Sequence, residues 1–284
     1  MKISNAKPPH IPPSLPPAPS RRPEDQVTLG EHRQPPLEKA TLWQKAVATT
    51  GVAATATVVA GLAYGGAFSS MGAGLAVAGS MVGAYFLADI STGLVHHFLD
   101  NVDPKKLPGG LARIADDFQN HHDHPRDVVH REFANHTADT QRITTPMLAG
   151  LAALAWTLPQ LAPLTAGLTV FANCANLAQE FHRRAHMSDA ENPALVNLCQ
   201  KVGLMVPRRL HLQHHGAGHK SHYALLNGAT NKILDDVHFR LTPGGVKSNL
   251  LRKMEVALYH WQGSEPNNWA ETPGLKEQAL RGIK

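Results

Sequence analysis

The stretch AVATTGVAATATVVAGLAYGGAFSSMGAGLAVAGSMVGAYFLA, residues 46–88, decides the fold because it runs for 43 residues without one charged side chain. A bilayer-spanning helix needs ~20 mainly apolar residues. The stretch therefore predicts two spans, at about 44–66 and 73–95, with a turn near Gly65 and Ser70. Small residues let helices approach closely in lipid. We expect that role at Gly51, Ala53, Gly61, Gly72, Gly74 and Gly79.

A second uncharged stretch of 37 residues lies between Arg142 and Glu180. It predicts two more spans, at about 144–160 and 163–182, separated near Pro159. The expected fold is all-α: an integral, multi-pass membrane protein with four transmembrane helices in two hairpins. The alternative is a soluble bundle of very apolar helices.

The basic residues predict the orientation of these hairpins. Neither hairpin turn contains Lys or Arg, whereas every other segment does. Lysine and arginine are concentrated in cytoplasmic loops of membrane proteins. Both hairpins are therefore expected to enter from the cytoplasmic side, which also puts the clustered histidines on that side, in a helical cap.

The rest of the composition bounds the remaining possibilities. Residues 1–40 are Pro-rich and polar and predict a disordered arm, which leaves 41–284 as the membrane domain. The net charge is +5, but the basic residues flank the apolar segments, which favours a membrane surface over nucleic acid. The two cysteines form no CxxC pair, so an iron–sulfur cluster and a disulfide framework are not expected.

Histidine is the unusual residue. The chain has 18, and fourteen of them lie between His96 and His222. Protonated imidazoles this crowded would repel one another, so a metal is the simplest reason to gather them. Nine of them form four groups: His96 with His97, His121 with His122, His182 with His186, and His211 with His214 and His215.

The spacing within the groups suits metal ligands. Residues i and i+4 share one face of a helix. His182 and His186 have this spacing, as do His211 and His215, and His96 and Asp100. Adjacent histidines diverge by ~100° on a helix. His121 and His122 are therefore expected to serve two different metals, or one ion at a helix end.

The number of histidines points to two ions, since one zinc takes three or four protein ligands. Imidazole suits iron, copper, zinc and nickel. The HExxH motif of zinc proteases is absent, because Arg183 follows His182. A histidine-only site at a membrane face indicates O₂ chemistry on lipid, since no side chain alone oxidises an unactivated C–H bond. No dinucleotide-binding motif follows a strand pattern, so we expect no organic cofactor.

These groups resemble those of the Kua-type lipid desaturases, which include plasmanylethanolamine desaturases and a chloroplast desaturase of phosphatidylglycerol. The resemblance runs from about Asp89 to Trp269. Its motifs are D89-I-S-T-G-L-V-H96, F118-Q-N-H-H122, R131-E-F-A-N135, Q179-E-F-H-R-R-A-H186 and R208-R-L-H-L-Q-H-H215. The chain departs from the family at His97 and Arg184, where the family has tryptophan.

The resemblance implies a di-iron centre, O₂ as oxidant, a membrane phospholipid as substrate, and an external electron donor, ferredoxin or cytochrome b5. It implies no catalytic residues separate from the metal ligands. Those ligands are expected to be His96, His121, His122, His182, His186, His211, His214 and His215, with Asp100 and His219 as further ligands or as hydrogen-bond partners of a ligand. The alternatives are a hydroxylase on the same scaffold, a zinc-dependent membrane hydrolase, and a non-catalytic delivered membrane effector.

Overall fold

The computed structural model describes residues 37–216 and 221–235. Those residues form helices and turns and no β-strand, which agrees with the predicted all-α class. The Pro-rich segment 1–36, His219 and the region from 236 onward lie outside the described residues, so the predictions made for them stay predictions. The nine helices of the described part are α1 Leu42–Tyr64, α2 Met71–Asn101, α3 Gly109–Asp123, α4 Phe133–His136, α5 Ala138–Thr157, α6 Ala162–Ala185, α7 Ala194–Lys201, α8 Arg208–Gly216 and α9 Asn231–Ile233.

Local signals account for the ends of the first two helices. Thr41 and Gln44 form a capping box at the start of α1, in which each side chain accepts a hydrogen bond from the other residue's backbone. Gly66 adopts a positive φ of 74° in the turn that follows. The side chain of Ser70 then caps α2 by accepting from the backbone N–H of Ala73.

Three helices are long and apolar enough to cross a membrane: Leu42–Tyr64, Met71–Asn101 and Pro159–Ala185. They coincide with the predicted spans 44–66, 73–95 and 163–182. The fourth predicted span, 144–160, falls on α5, which carries Asp139 and Arg142 in its first turns and is not among the three. The count of four spans in two hairpins, and their cytoplasmic orientation, stay predictions.

Each long helix packs on a helix from the other half of the chain. α1 runs along α5, α2 runs along α6, and α5 contacts α6. Close approach occurs at Gly167, where an added Cβ would lie 2.3 Å from Oγ of Ser80, and at Gly61, where it would lie 2.9 Å from Cβ of Ala155. At Gly72, Gly74 and Gly79, by contrast, no other part of the described chain lies within 4 Å of such a Cβ, so the described residues show no close packing at these three.

α2 extends beyond the membrane core. Its 31 residues are ~46 Å long at 1.5 Å per residue, against a core of ~30 Å. The last turns, which carry His96 and Asp100, therefore project into a cap built by α3, α4, α8 and the segment 221–235. The end of the predicted arm joins this cap, since the backbone of Glu38 donates to the carbonyl of His130 at 2.7 Å.

Candidate metal centre

Four parts of the fold bring buried histidines to one place. α2 contributes His96, α3 contributes two, the end of α6 contributes two, and α8 contributes three. Their ligand atoms form two groups, within each of which all atoms lie within 4.8 Å of one another. We call them the five-histidine cluster (His121, His182, His186, His211 and His215) and the mixed cluster (His96, Asp100, His122 and His214).

In the five-histidine cluster, the Nε2 atoms of four rings lie close to one another. Nε2 of His186 lies 3.1 Å from Nε2 of His182 and 2.8 Å from Nε2 of His211. Nε2 of His215 lies 3.1 Å from Nε2 of His211. Nitrogens that bind one ion at ~2.1 Å in neighbouring octahedral positions lie ~3.0 Å apart. The observed separations therefore suit one ion shared by these rings.

The mixed cluster surrounds one carboxylate oxygen. Oδ2 of Asp100 lies 3.3 Å from Nε2 of both His96 and His214 and 3.5 Å from Nε2 of His122. Nε2 of His122 and Nε2 of His214 are 3.1 Å apart. Among the described residues, no group donates a hydrogen bond to either carboxylate oxygen of Asp100, although both are buried. A cation between these four groups would balance the carboxylate charge and satisfy the facing lone pairs.

Backbone carbonyls orient three of the rings. Nδ1 of His96 donates to the carbonyl of Tyr223 at 2.9 Å, and Nδ1 of His214 donates to that of Ser221 at 2.8 Å. Nδ1 of His121 donates to the carbonyl of Phe118. A neutral imidazole has one N–H, so these bonds fix it on Nδ1 and leave the lone pair on Nε2. Metal-ligating histidines commonly have this arrangement.

The histidines of the cap are held in the neutral form that binds metals. Burial, reinforced by neighbouring imidazoles, lowers the pKa of His121, His211 and His215 well below the ordinary value. Burial lowers the pKa of His214 to about 4. All four rings are therefore deprotonated at pH 7, and the two clusters have the donors to hold metal ions.

The buried aspartate Asp89 positions the loop that orients His96 and His214. Its Oδ1 accepts from the backbone N–H groups of Leu226, Asn227 and Gly228 at 3.0–3.2 Å. Its Oδ2 accepts from the N–H of Thr230 at 3.1 Å and from that hydroxyl at 2.6 Å. The sequence interpretation used Asp89 only as the limit of an uncharged stretch and as part of a motif. A lone acid at the end of an apolar stretch was the available signal for its role.

Several other charged or histidine side chains bind to groups other than the ligand atoms of the two clusters. Both Arg183 and Arg184 pair with Glu180, at 2.6 and 2.7 Å. Arg208 donates to the carbonyl of His186 at 2.8 Å, so it supports a histidine of the site. Nε2 of His136 hydrogen-bonds the carbonyl of Gln179 at 2.9 Å. Neither His136 nor the Glu180 carboxylate that pairs with Arg183 and Arg184 belongs to the two clusters.

Two adjoining cavities touch the two clusters. One of about 270 Å³ is lined by His121 and His182 of the five-histidine cluster. The other, of about 210 Å³, is lined by His96 of the mixed cluster and otherwise by mainly apolar side chains such as Phe171 and Leu225. Both cavities share the lining residues Val95, Phe118, Thr140 and Gln179. They therefore lie side by side, next to the candidate metal sites.

Fold and site together define an all-helical membrane protein with a histidine-rich centre able to hold metal ions beside an apolar space. A family model described as the lipid desaturase domain matches residues 85–269, more than half of the chain, and the chain belongs to this family. The resemblance found in the sequence is thereby confirmed.

Individual relatives agree with this membership. Fatty acid desaturase 4-like 1, chloroplastic, from Arabidopsis thaliana is 34% identical over 187 residues, which cover 66% of this chain and 58% of the relative. The plasmanylethanolamine desaturase of Myxococcus xanthus is 28% identical over 161 residues, 55% of this chain and 54% of the relative. The chain thus spans between half and two thirds of the length of these relatives. No solved structure matches it.

Proposed function

We propose that this protein is a membrane-bound, O₂-dependent desaturase that introduces a C=C bond into an aliphatic chain of a membrane phospholipid. The observation that carries the proposal is the adjacency of two separate ligand sets to two neighbouring, mainly apolar cavities. Two sets of three or more donors suit a dinuclear centre, and an apolar space suits an acyl or alkyl chain. Family membership and the desaturase names of the relatives support the same reaction class.

We propose iron for both sites. His121, His182, His186, His211 and His215 would hold one ion, and His96, Asp100, His122 and His214 the other. His219 stays a further candidate. Bound iron would supply the oxidising power that no side chain has. The net reaction removes two hydrogens from adjacent carbons, and O₂, two electrons and two protons balance it by forming two waters.

The chain's own residues would position the lipid and keep the site dry. Phe118 and Val95 line both cavities, so they would hold the aliphatic chain next to the two clusters. Holding one pair of carbons at the site converts a random encounter into a directed reaction. Arg131 and Asp117 line the larger cavity, with Nη1 of Arg131 3.7 Å from Oδ2 of Asp117. These two charged side chains would meet the polar part of the lipid.

The two electrons would come from an external carrier, ferredoxin or cytochrome b5. We also propose that the histidine side of the membrane is the cytoplasmic side, as the distribution of Lys and Arg predicts. A carrier from that compartment would then approach the cap.

Lipid mass spectrometry of cells that express the chain together with both carriers tests the proposal. Iron content is measured on the same purified protein, and His214→Ala serves as the control. A lipid species lighter by two hydrogens, formed only by the intact chain, is the expected result. Gain of one oxygen would identify a hydroxylase instead. Activity with bound zinc and without O₂ would identify a hydrolase, and an unchanged lipidome with no bound iron would contradict the proposal.

A further inference from the structure

The short helix α7 and the turn that follows it expose apolar side chains and bury polar ones, the reverse of what a water-facing surface shows. Four large apolar side chains point outward, with exposed fractions of 70% for Leu195, 54% for Leu198, and 58% for both Val202 and Leu204. Leu195, Leu198 and Val202 are spaced three and four residues apart, so they share one side of the helix. A helix on a water-facing surface presents the opposite pattern.

Polar side chains of the same segment point into the protein. Gln200 is buried and donates to the carbonyl of Val206 at 3.2 Å. Asn192, just before the helix, is also buried and donates to the carbonyl of Arg184 at 3.0 Å. Asn197 donates to the carbonyl of Asp189 at 2.8 Å. The inward side chains satisfy backbone carbonyls, so the outward leucines are left to meet the surroundings.

A contact with α2 gives the depth of this segment. The hydroxyl of Tyr85 donates to the carbonyl of Leu204 at 2.8 Å. Tyr85 lies 14 residues beyond Met71, where α2 begins, which is ~21 Å along the helix. With Met71 at the far edge of a hydrocarbon core of ~30 Å and α2 perpendicular to the membrane, Tyr85 would be ~9 Å inside the core from the side of the cap. Interfacial helices bury their apolar face by ~5–10 Å.

Exposed apolar side chains of a membrane-spanning helix lie close to this segment. Next to Tyr85, the α2 side chains of Val82 and Phe86 are exposed by 58% and 42%. These side chains belong to a helix that is apolar and long enough to cross the bilayer. Lipid that contacts them would also reach Leu204, because the two surfaces meet at the Tyr85 hydrogen bond.

We infer that the segment 194–204 is an interfacial element embedded in the leaflet on the histidine side, with its leucines among lipid acyl chains. Lys201 is exposed at the end of α7, and a long basic side chain there can extend to the phosphate groups. The segment joins α6 to α8, the two helices that supply His182, His211 and His215. Lipid contact thus anchors the connection between the two histidine-bearing elements.

Depth-dependent fluorescence quenching tests the inference in the full chain, reconstituted in phosphatidylcholine vesicles. In a Cys174→Ala, Cys199→Ala background, single cysteines replace Leu198 or Leu204 and are labelled with an environment-sensitive dye. Phe86→Cys is the control for lipid contact, and Asp123→Cys, exposed at the end of α3, is the control for water. Metal content of each labelled variant checks that the fold is retained.

We expect spin-labelled lipid to quench the dye at 198 and 204 about as strongly as at 86, and aqueous iodide to quench only the dye at 123. Quenching of 198 and 204 by iodide instead would overturn the inference. Protection from both quenchers would also overturn it, and would assign the surface to contact between two copies of the chain. None of these outcomes depends on the lipid reaction, so the inference and the proposed function fail separately.

Discussion

Substituting asparagine for Asp89 should destabilise the protein by about 2–4 kcal/mol, because an amide cannot accept all five hydrogen bonds that the carboxylate accepts. In its better orientation the amide oxygen keeps the three N–H groups of the 226–228 backbone, and the amide NH₂ faces Thr230. The hydroxyl of Thr230 can then accept, but its N–H loses its partner. One unpaired buried donor costs about 1–3 kcal/mol. The three remaining bonds weaken further, since bonds to an ionised acceptor are about twice as strong.

The same substitution should affect the mixed cluster more than the five-histidine cluster. The loop held by Asp89 carries the carbonyls of Ser221 and Tyr223, which orient His214 and His96. Loss of such supporting bonds typically weakens metal binding by about 10–100-fold. We expect metal content to fall from about two ions per chain toward one, as it should in His214→Ala.

Thermal unfolding and metal analysis of purified protein measure both effects. Asp116→Asn is the matched control, because Asp116 is exposed on α3. Wild-type metal content together with an unchanged unfolding midpoint in Asp89→Asn would refute the reasoning, since the loop would then not depend on this carboxylate. Equal loss of both ions would place the effect on the whole fold instead of one cluster.

Three further predictions concern acid stability, helix packing and the cavity. Metal-free protein should lose stability as the pH falls below ~6.5, since His214 has a folded pKa of about 4 and the unfolded state then binds more protons. Protonation of that one group in the unfolded state lowers the free energy of unfolding by ~1.4 kcal/mol for each pH unit down to pH 4, which is measurable as a falling unfolding midpoint. An unchanged midpoint between pH 7 and 5 would contradict this prediction. Gly167→Ala should lower the free energy of unfolding by about 1–3 kcal/mol, because the added Cβ would push α6 away from Ser80. Gly72→Ala is the control and should not destabilise the fold. Equal effects of the two substitutions in thermal unfolding would argue against close packing of α2 and α6 at Gly167. Ala175→Phe should fill the smaller cavity and abolish the lipid product without loss of metal, while Ala153→Phe, on an exposed surface, retains it; product formation by Ala175→Phe would remove that cavity from the reaction.

Much of the fold could be predicted from the sequence because its signals are local. Uncharged runs of sufficient length located α1, α6 and the start of α2 to within about three residues, whereas α2 continues six residues beyond its predicted end at 95. The limits of α5 could not be read this way, since the helix begins at Ala138, before the apolar stretch, and carries Asp139 and Arg142 on its first turns. Hydropathy detects the apolar part of a helix, and packing against α1 and α6 determines the rest.

The grouping of the histidines was only partly accessible. The i, i+4 spacing predicted that His211 and His215 act together, and the structure brings them into one cluster. The structure places the ring nitrogens of His121 and His122 in different clusters, which favours the first of the two options left open for them, while the number of bound ions stays a prediction. Which histidine from α3 joins which from α8 depends on how these helices pack in three dimensions. The role of Asp89 was inaccessible for the same reason, since its partners lie about 140 positions later in the chain.

Adjacent histidines on rigid helices also couple the two clusters. α3 places His121 in one cluster and His122 in the other, and α8 does the same with His215 and His214. An ion bound in the five-histidine cluster would fix both helices, and would therefore order His122 and His214, two of the four residues of the mixed cluster, before a second ion arrives. Binding of the first ion would bear most of the entropy cost of ordering these helices, so the second ion would bind more favourably. Titration of the metal-free protein should accordingly show that the first ion raises the affinity for the second.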